Sequence, residues 1–287
     1  MAPSRPDESP APSTDPVAST ALWMAAERAR ESARPDRLFD DPLADALAGP
    51  EGGRIMAEMG AEMPENPALP IRTRYFDDRL LNMVGANGIT QVVLLAAGMD
   101  TRAFRLGFPD DVVVFELDRP ALLALKEQRL ETTGARPTCD RRTVPADLAR
   151  PWTHPLLSAG YLETKPAVFV AEGLLGYLSE PQVHELLGTA ARLSNPNSVA
   201  LADVSGRVPP GTPFLDTWSA RLTEAGVSRR FATDEPEALF AAHGWRAEVA
   251  GYGEETADFG RWPWPVPDRD DPNWPHNYLV TAHRSGS

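Results

Sequence analysis

Four apolar runs in this sequence end in residues able to hold a ligand. VVLLAAGMDTRAFRL, residues 92–106, passes from a hydrophobic stretch into Gly98 and then into Asp100, Thr101 and Arg102. A glycine there lets backbone approach a ligand closely. A pyrophosphate cradle would need further glycines at G-x-G-x-x-G spacing, and they are absent. The single glycine therefore favours a nucleoside ligand without phosphate, such as S-adenosylmethionine. VVVFELD ends in Glu116 and Asp118, and either carboxylate can accept both hydrogen bonds of a ribose diol. The alternative is that one carboxylate caps a helix opening at Arg119-Pro120, for which Asp118 is well placed. RRTVPAD ends in Asp147, followed by Leu148. The acid can accept from an adenine amino group while the leucine lies against the base; a plain helix cap is the alternative. AVFVAEG ends in Glu172-Gly173, an acid suited to an ammonium group. Upstream, Arg72 and Arg74 offer guanidinium forks for a carboxylate, or a helical ion pair such as Arg74 with Asp78. Spacing does not separate those two uses.

The elements that must position these residues alternate. QVVLLAA (91–97), VVVFELD (112–118), RRTVPAD (141–147), AVFVAEG (167–173) and SVALADV (198–204) read as short strands, with helical patterns such as RPALLALKEQRLE and EPQVHELLGTAARLS between several of them. Near-continuous apolar strands separated by crossover helices predict an α/β fold with a doubly wound, mostly parallel sheet. WRAEVAGYG and NYLVTAHR read as two final strands, and TPFLDTWSARLTEAG and EPEALFAAHG as helices. Before the sheet, TALWMAAERARESA and LFDDPLADALAG read as two helices, the second with Asp41 as cap and Gly49 as stop. IRTRYFDDRLLNMV reads as a third. Three segments follow: a Pro/Ser-rich disordered tail at 1–18, an N-terminal helical lid at 19–70, and the main domain at 71–287. That domain carries an irregular loop at 262–275, rich in Trp and Pro, expected to help cover the acceptor pocket.

Composition excludes several classes. Forty-one acidic residues against 28 basic ones leave a net charge of −13, so polyanions are repelled and nucleic acid is not the expected partner. No apolar run approaches the ~18 residues that span a bilayer, and the first residues lack a secretory signal's apolar stretch. A cytoplasmic location is expected, which the lone Cys139 fits. The five histidines are scattered, none at a metal-ligand spacing, and no G-x-S-x-G elbow is present. No metal is expected. A nicotinamide-dependent oxidoreductase is the leading alternative enzyme, and a non-catalytic cofactor-binding protein the alternative outside enzymes.

RTRYFDD, LLAAGMDTRAFRL, FELDRP, PADL and AEGLLGYL, in that order, resemble the leucine carboxyl methyltransferase family, including its bacterial polyketide-biosynthesis and O-methyltransferase branches. The resemblance covers roughly residues 20–205. It implies an S-adenosylmethionine-dependent methyltransferase fold with a seven-stranded sheet and an N-terminal helical cover. By motif, Arg74 would bind the methionine carboxylate and Gly98 would lie against the cofactor. Asp118 would hold the ribose, ahead of Glu116; Asp147 and Leu148 would hold the adenine; Glu172 would lie near the methionine amino group. The implied activity is O-methyl transfer to a carboxylate or hydroxyl of a small molecule, a natural-product intermediate.

Overall fold

The five apolar runs fold as β1 (Gln91–Leu95), β2 (Val113–Asp118), β3 (Asp140–Pro145), β4 (Ala167–Ala171) and β5 (Val199–Ser205), and the chain returns through β6 (Trp245–Gly251) and β7 (Asn277–Arg284). The computed structural model describes residues 16–60, 67–208 and 230–285. The seven strands form one sheet in the order β3-β2-β1-β4-β5-β7-β6. β1 to β5 run parallel, and β7 pairs antiparallel with both β5 and β6. The doubly wound sheet expected from the alternation is therefore present, its last pair being the two final strands.

Every residue of β1 and β4 is buried, which explains their unbroken apolar sequence. Side chains alternate between the two faces: Val93, Leu95, Phe115 and Phe169 join a core with Trp152, Phe240 and Trp245. Val92, Leu94, Val114 and Val170 join another with Ile71, Phe76 and Leu80. The second core is covered by α3 (Ala68–Gly85). α4 (Arg102–Arg105) and α5 (Pro120–Thr133) follow β1 and β2, and α6 (Thr153–Ser158), α7 (Glu180–Arg192) and α8 (Pro236–Ala241) are the later described helices. α5 starts with Pro120, whose missing N–H costs nothing in a first turn, and stops at Gly134 with φ 67°. Ser179 and Gln182 form a capping box on α7.

The N-terminal segment differs from expectation at its boundaries. α1 (Pro16–Ser32) begins inside the stretch expected as tail, and Ala18 is already buried. Gly49 breaks the second helix as expected: it is non-helical, at φ 57°, and a further helical stretch starts at Pro50, the two together spanning α2 (Ala44–Gly60). Residues 1–15 and the helix expected within 212–226 lie outside the described residues. Leu22, Ala25 and Ala26 of α1 pack with Leu43 and Leu47, and against Met99, Leu122 and Leu130 of the main domain. That packing seats both helices over the carboxyl ends of β1 and β2. Strand order reverses between β1 and β4, and ligand crevices open at such a point.

Candidate functional site

A cavity of about 450 Å³ lies there, inside the usual range of ligand pockets. Gly98, Asp118, Asp147, Leu148 and Glu172 line it, so the structure brings together five residues drawn from four different strand ends. Arg74 and Glu116 are not among its lining residues.

β1 ends at Leu95 because Ala96 turns into the left-handed region, φ 60°, followed by Gly98 at φ 48°. The Gly98 amide donates to Asp118 Oδ2 at 2.7 Å, and the Arg119 amide donates to Oδ1 at 2.7 Å. Asp118 therefore ties the glycine turn to β2 and to Arg119, the residue that precedes α5, without capping that helix. A carboxylate has about four acceptor positions, so two remain for a diol. Burial raises the Asp118 pKa against the two amides, which pull it down. A side chain at 98 would meet Ala21 Cβ of α1 at 3.4 Å. Asp147 is half-exposed, accepts from the Ala149 amide at 3.0 Å and lies 3.6 Å from Arg150.

The floor of the cavity is an ion-pair network. Glu172 contacts Arg72 Nε at 3.0 Å and Arg102 Nη2 at 2.7 Å. Arg72 Nη1 also contacts Asp203 at 2.9 Å, and the Gly173 amide donates to the other oxygen of Asp203 at 2.5 Å. Arg102 reaches Asp100 at 2.5 Å and Asp77 at 2.7 Å, and Arg105 closes on Asp77 at 2.5 Å. Burial alone would raise the Glu172 and Asp100 carboxyls beside Arg102. Arg102 and Arg72 nonetheless hold Glu172 below the usual carboxylate range, and Arg102 and Lys126 bring Asp100 to about 2. Arg72 and Arg102 are themselves pushed up by their carboxylate partners in spite of burial. Three guanidiniums, of Arg72, Arg102 and Arg105, thus face four carboxylates, of Asp77, Asp100, Glu172 and Asp203. One negative charge is left over.

The geometry places two of the expected residues, Arg74 and Glu116, away from the cavity. Arg74 pairs with Asp78 at 2.8 Å, the helical i,i+4 arrangement, and donates to the Leu38 carbonyl at 2.9 Å. Arg72 occupies the cavity in its place, because residues two apart on a helix point to nearly opposite sides. Glu116 is fully buried between Lys126 Nζ (2.7 Å) and the guanidinium of Arg141 (2.7 and 2.8 Å). It shares a strand face with Asp118 but sits two residues, ~7 Å, below the strand end, where α5 and β3 close over it. The residues missed from the sequence are Asp203, at the end of β5, and Asp77, whose partners lie 25 and 28 residues away. Only a strand-end acid, as elsewhere, pointed to Asp203.

The remaining walls come from α1, through Trp23, Met24 and Arg28, and from Tyr252 and Asn277. Arg28 crosses onto the glycine turn, donating to the Met99 carbonyl at 2.5 Å while paired with Asp41 at 2.9 Å. The loop at 262–275 does not line this cavity. It lines a smaller cleft of about 60 Å³ against β6. Among the described residues, no group of three or more His, Cys, Asp or Glu is placed to hold a metal ion, and no helix is long and apolar enough to cross a membrane.

Comparison with known proteins decides the family. The model of the leucine carboxyl methyltransferase family matches residues 21–191, well over half of the chain. The chain belongs to that family. A relative from Parafrankia sp. (strain EAN1pec), provisionally named an S-adenosyl-L-methionine-dependent methyltransferase, is 41% identical over 290 residues, spanning 94% of this chain and 87% of its own. One of the same provisional name from Mycolicibacterium smegmatis is 36% identical, over 85% and 88% of the two chains. In fold, the chain is similar to a provisionally named methyltransferase from Thermobifida fusca YX, with a TM-score of 0.63 at 19% identity over 98% of this chain and 100% of that one. As a member of this methyltransferase family, the chain uses S-adenosylmethionine as its cofactor. The cavity fits that molecule by the glycine turn and by Asp118 at the end of β2.

Proposed function

We propose that this leucine carboxyl methyltransferase family member methylates an oxygen of a small molecule, a carboxylate ahead of a hydroxyl, and that its acceptor is a natural-product intermediate of the polyketide type. The bound cofactor supplies a methyl group already activated on a sulfonium. The chain's own residues bind, orient and exclude water. Asp118 and the Gly98 turn would hold the nucleoside, Asp147 and Leu148 the base, and Arg72 with Glu172 the amino-acid end. Trp23 and Met24 of α1 close the cavity from above, which keeps water from the reacting groups.

The observation that carries the choice of acceptor is the state of the acids in the cavity. None of the five histidines lines it, and Glu172, Asp100 and Asp203 are engaged by arginines. A carboxylate acceptor arrives ionised at neutral pH and needs no general base, whereas a phenol with a pKa of about 10 is helped by one. This reading takes the enzyme to act in the cytoplasm on a dissolved acceptor. The lack of further glycines after Gly98 disfavours the alternative of a nicotinamide dinucleotide.

The test is to incubate the protein with methyl-labelled S-adenosylmethionine and panels of carboxylic acids and phenols, then treat the products with mild base. Methyl esters release labelled methanol; ethers keep their label. Base-labile product is expected. Base-stable label on phenols would move the reading to a hydroxyl acceptor, and label on nitrogen or carbon would end it. Cofactor binding without any transfer would favour the non-catalytic alternative.

A further inference from the structure

The cavity is the size of one ligand, since single-ligand pockets span ~300–1,000 Å³ and this one has about 450 Å³. Methyl transfer needs two molecules at once. With the cofactor in place, only the reacting end of an acceptor finds room, and its remainder must extend outward. The smaller cleft adjoins the cavity at Tyr252 and Asn277, which line both.

Much of its wall is aromatic, with Glu254, Arg269 and His276 beside the rings. Trp262 stacks on Tyr252, ring centroids 5.7 Å apart at 26°, and meets Trp264 edge-on at 4.9 Å. Gly253, at φ 87°, leaves the space in which Trp262 sits: a Cβ there would lie 2.2 Å from the indole ring. The indole N–H of Trp262 is buried and has no hydrogen-bond partner among the described residues. Val266 and Trp274 complete the rim at 46% and 39% exposure. Arg261, next to Trp262, is anchored to Glu31 of α1 at 3.0 Å. Large apolar groups held at the surface beside a ligand cavity mark a binding face. At about 60 Å³, this one takes a ring edge-first, not a folded partner.

We propose that the cleft formed by Tyr252, Trp262, Val266 and Trp274 is the subsite for the far end of the acceptor, which is an elongated molecule with a planar aromatic or conjugated ring remote from the methylated oxygen. The proposal rests on the O-methyl transfer reading above. It adds the shape of the acceptor and gives the Trp/Pro-rich loop a task in acceptor selection.

The experiment uses the full chain with S-adenosylmethionine and four probes: benzoate and phenol as bare heads, 4-benzyloxybenzoate and 4-benzyloxyphenol as the same heads with a ring attached. The wild-type kcat/KM for an extended probe should exceed that of its bare head about tenfold, the scale of one to two good ring contacts. Trp274→Ala should bring that ratio close to one with S-adenosylhomocysteine affinity retained. Trp274→Phe should restore it, and Leu162→Ala, an exposed apolar residue elsewhere, should leave it unchanged. Heads methylated with no advantage for the extended probes would overturn the subsite and leave the O-methyl reading standing. No ester or ether from any probe, with S-adenosylhomocysteine still binding, would sink the reading and the subsite with it. A concentration-dependent dimer dissolved by Trp274→Ala, with the ratio unaltered, would assign the patch to a second copy of the chain and overturn the proposal.

Discussion

Arg72 bonds to two carboxylates from different strand ends, Glu172 and Asp203, and all three side chains are largely shielded, at 14–19% exposure. Removing it leaves two buried acids short of a partner, and breaking such a pair costs several kcal/mol because the remaining charge stays desolvated. Arg72→Ala is expected to lower stability by roughly 3 kcal/mol and to weaken S-adenosylmethionine binding more than tenfold. Arg74→Ala removes an exposed i,i+4 pair worth about 0.3–0.5 kcal/mol, and cofactor affinity should stay within a factor of about two. Urea denaturation and calorimetry on both variants check this. Equal losses of affinity would return the carboxylate-binding role to Arg74. Residues two apart in sequence thus have unrelated tasks, one in the cavity floor and one strapping the Leu38 carbonyl and the Phe259 ring, 5.5 Å away.

α1 is the element on which the enclosure of the site depends. Its apolar face packs on α2 and on Met99, Leu122 and Leu130, while Trp23 and Met24 face the cavity. Glu31 holds its end in place: it accepts from the Leu38 amide at 2.7 Å and from Arg261 at 3.0 and 3.2 Å. We propose that residues 19–70 act as a lid, and the helix boundaries set how to test it. Deleting residues 1–15 should leave methyl transfer intact. Deletion through residue 34 should abolish transfer while the sheet stays folded, since both sheet cores lie outside α1. Circular dichroism and turnover of the two truncations decide it, and full activity of the longer one would rule the lid out. Arg261→Ala should speed proteolysis around residues 33–43, because loops open more often as their anchoring bonds are removed.

Across the whole molecule, the network from Asp77 to Asp203 joins α3, the turn after β1, α4 and the ends of β4 and β5, so its protonation reaches stability. Asp100 ionises at 3.8 when unperturbed and at about 2 in the fold. A depressed folded pKa means that the stabilisation is fully present above the unfolded value and is lost as pH falls through the folded one. Between about pH 5 and about pH 2 this single group should account for roughly 2 kcal/mol of lost stability in the ligand-free protein. Glu172 acts with the same sign. Asp118 is shifted the other way, so its ionisation as pH rises past the unfolded value works against folding. Chemical denaturation of wild type and Asp100→Asn across that range measures the difference; parallel curves would show that Asp100 does not carry it.

What the sequence by itself determined is the order of strands and helices and four of the loops that meet at the cavity. Buried parallel strands must be apolar throughout, and polar residues must follow at the carboxyl end, so the strand pattern and the cavity-lining residues Gly98, Asp118, Asp147 and Glu172 are written next to each other. The early stop of β1 was not legible, because Ala96 adopts a backbone conformation that its residue type does not announce. What only the tertiary structure decided is which charge belongs to which. Arg72 and Arg74 are equivalent in type, and the phase of α3 against the sheet selects between them. Glu116 and Asp118 share a face of β2, and α5 with β3 covers one and leaves the other at the rim. Asp203 reaches Arg72 from 131 residues away. Such choices depend on packing between segments distant in sequence, where burial makes an unpaired charge too costly to keep, and no local pattern of residues records them.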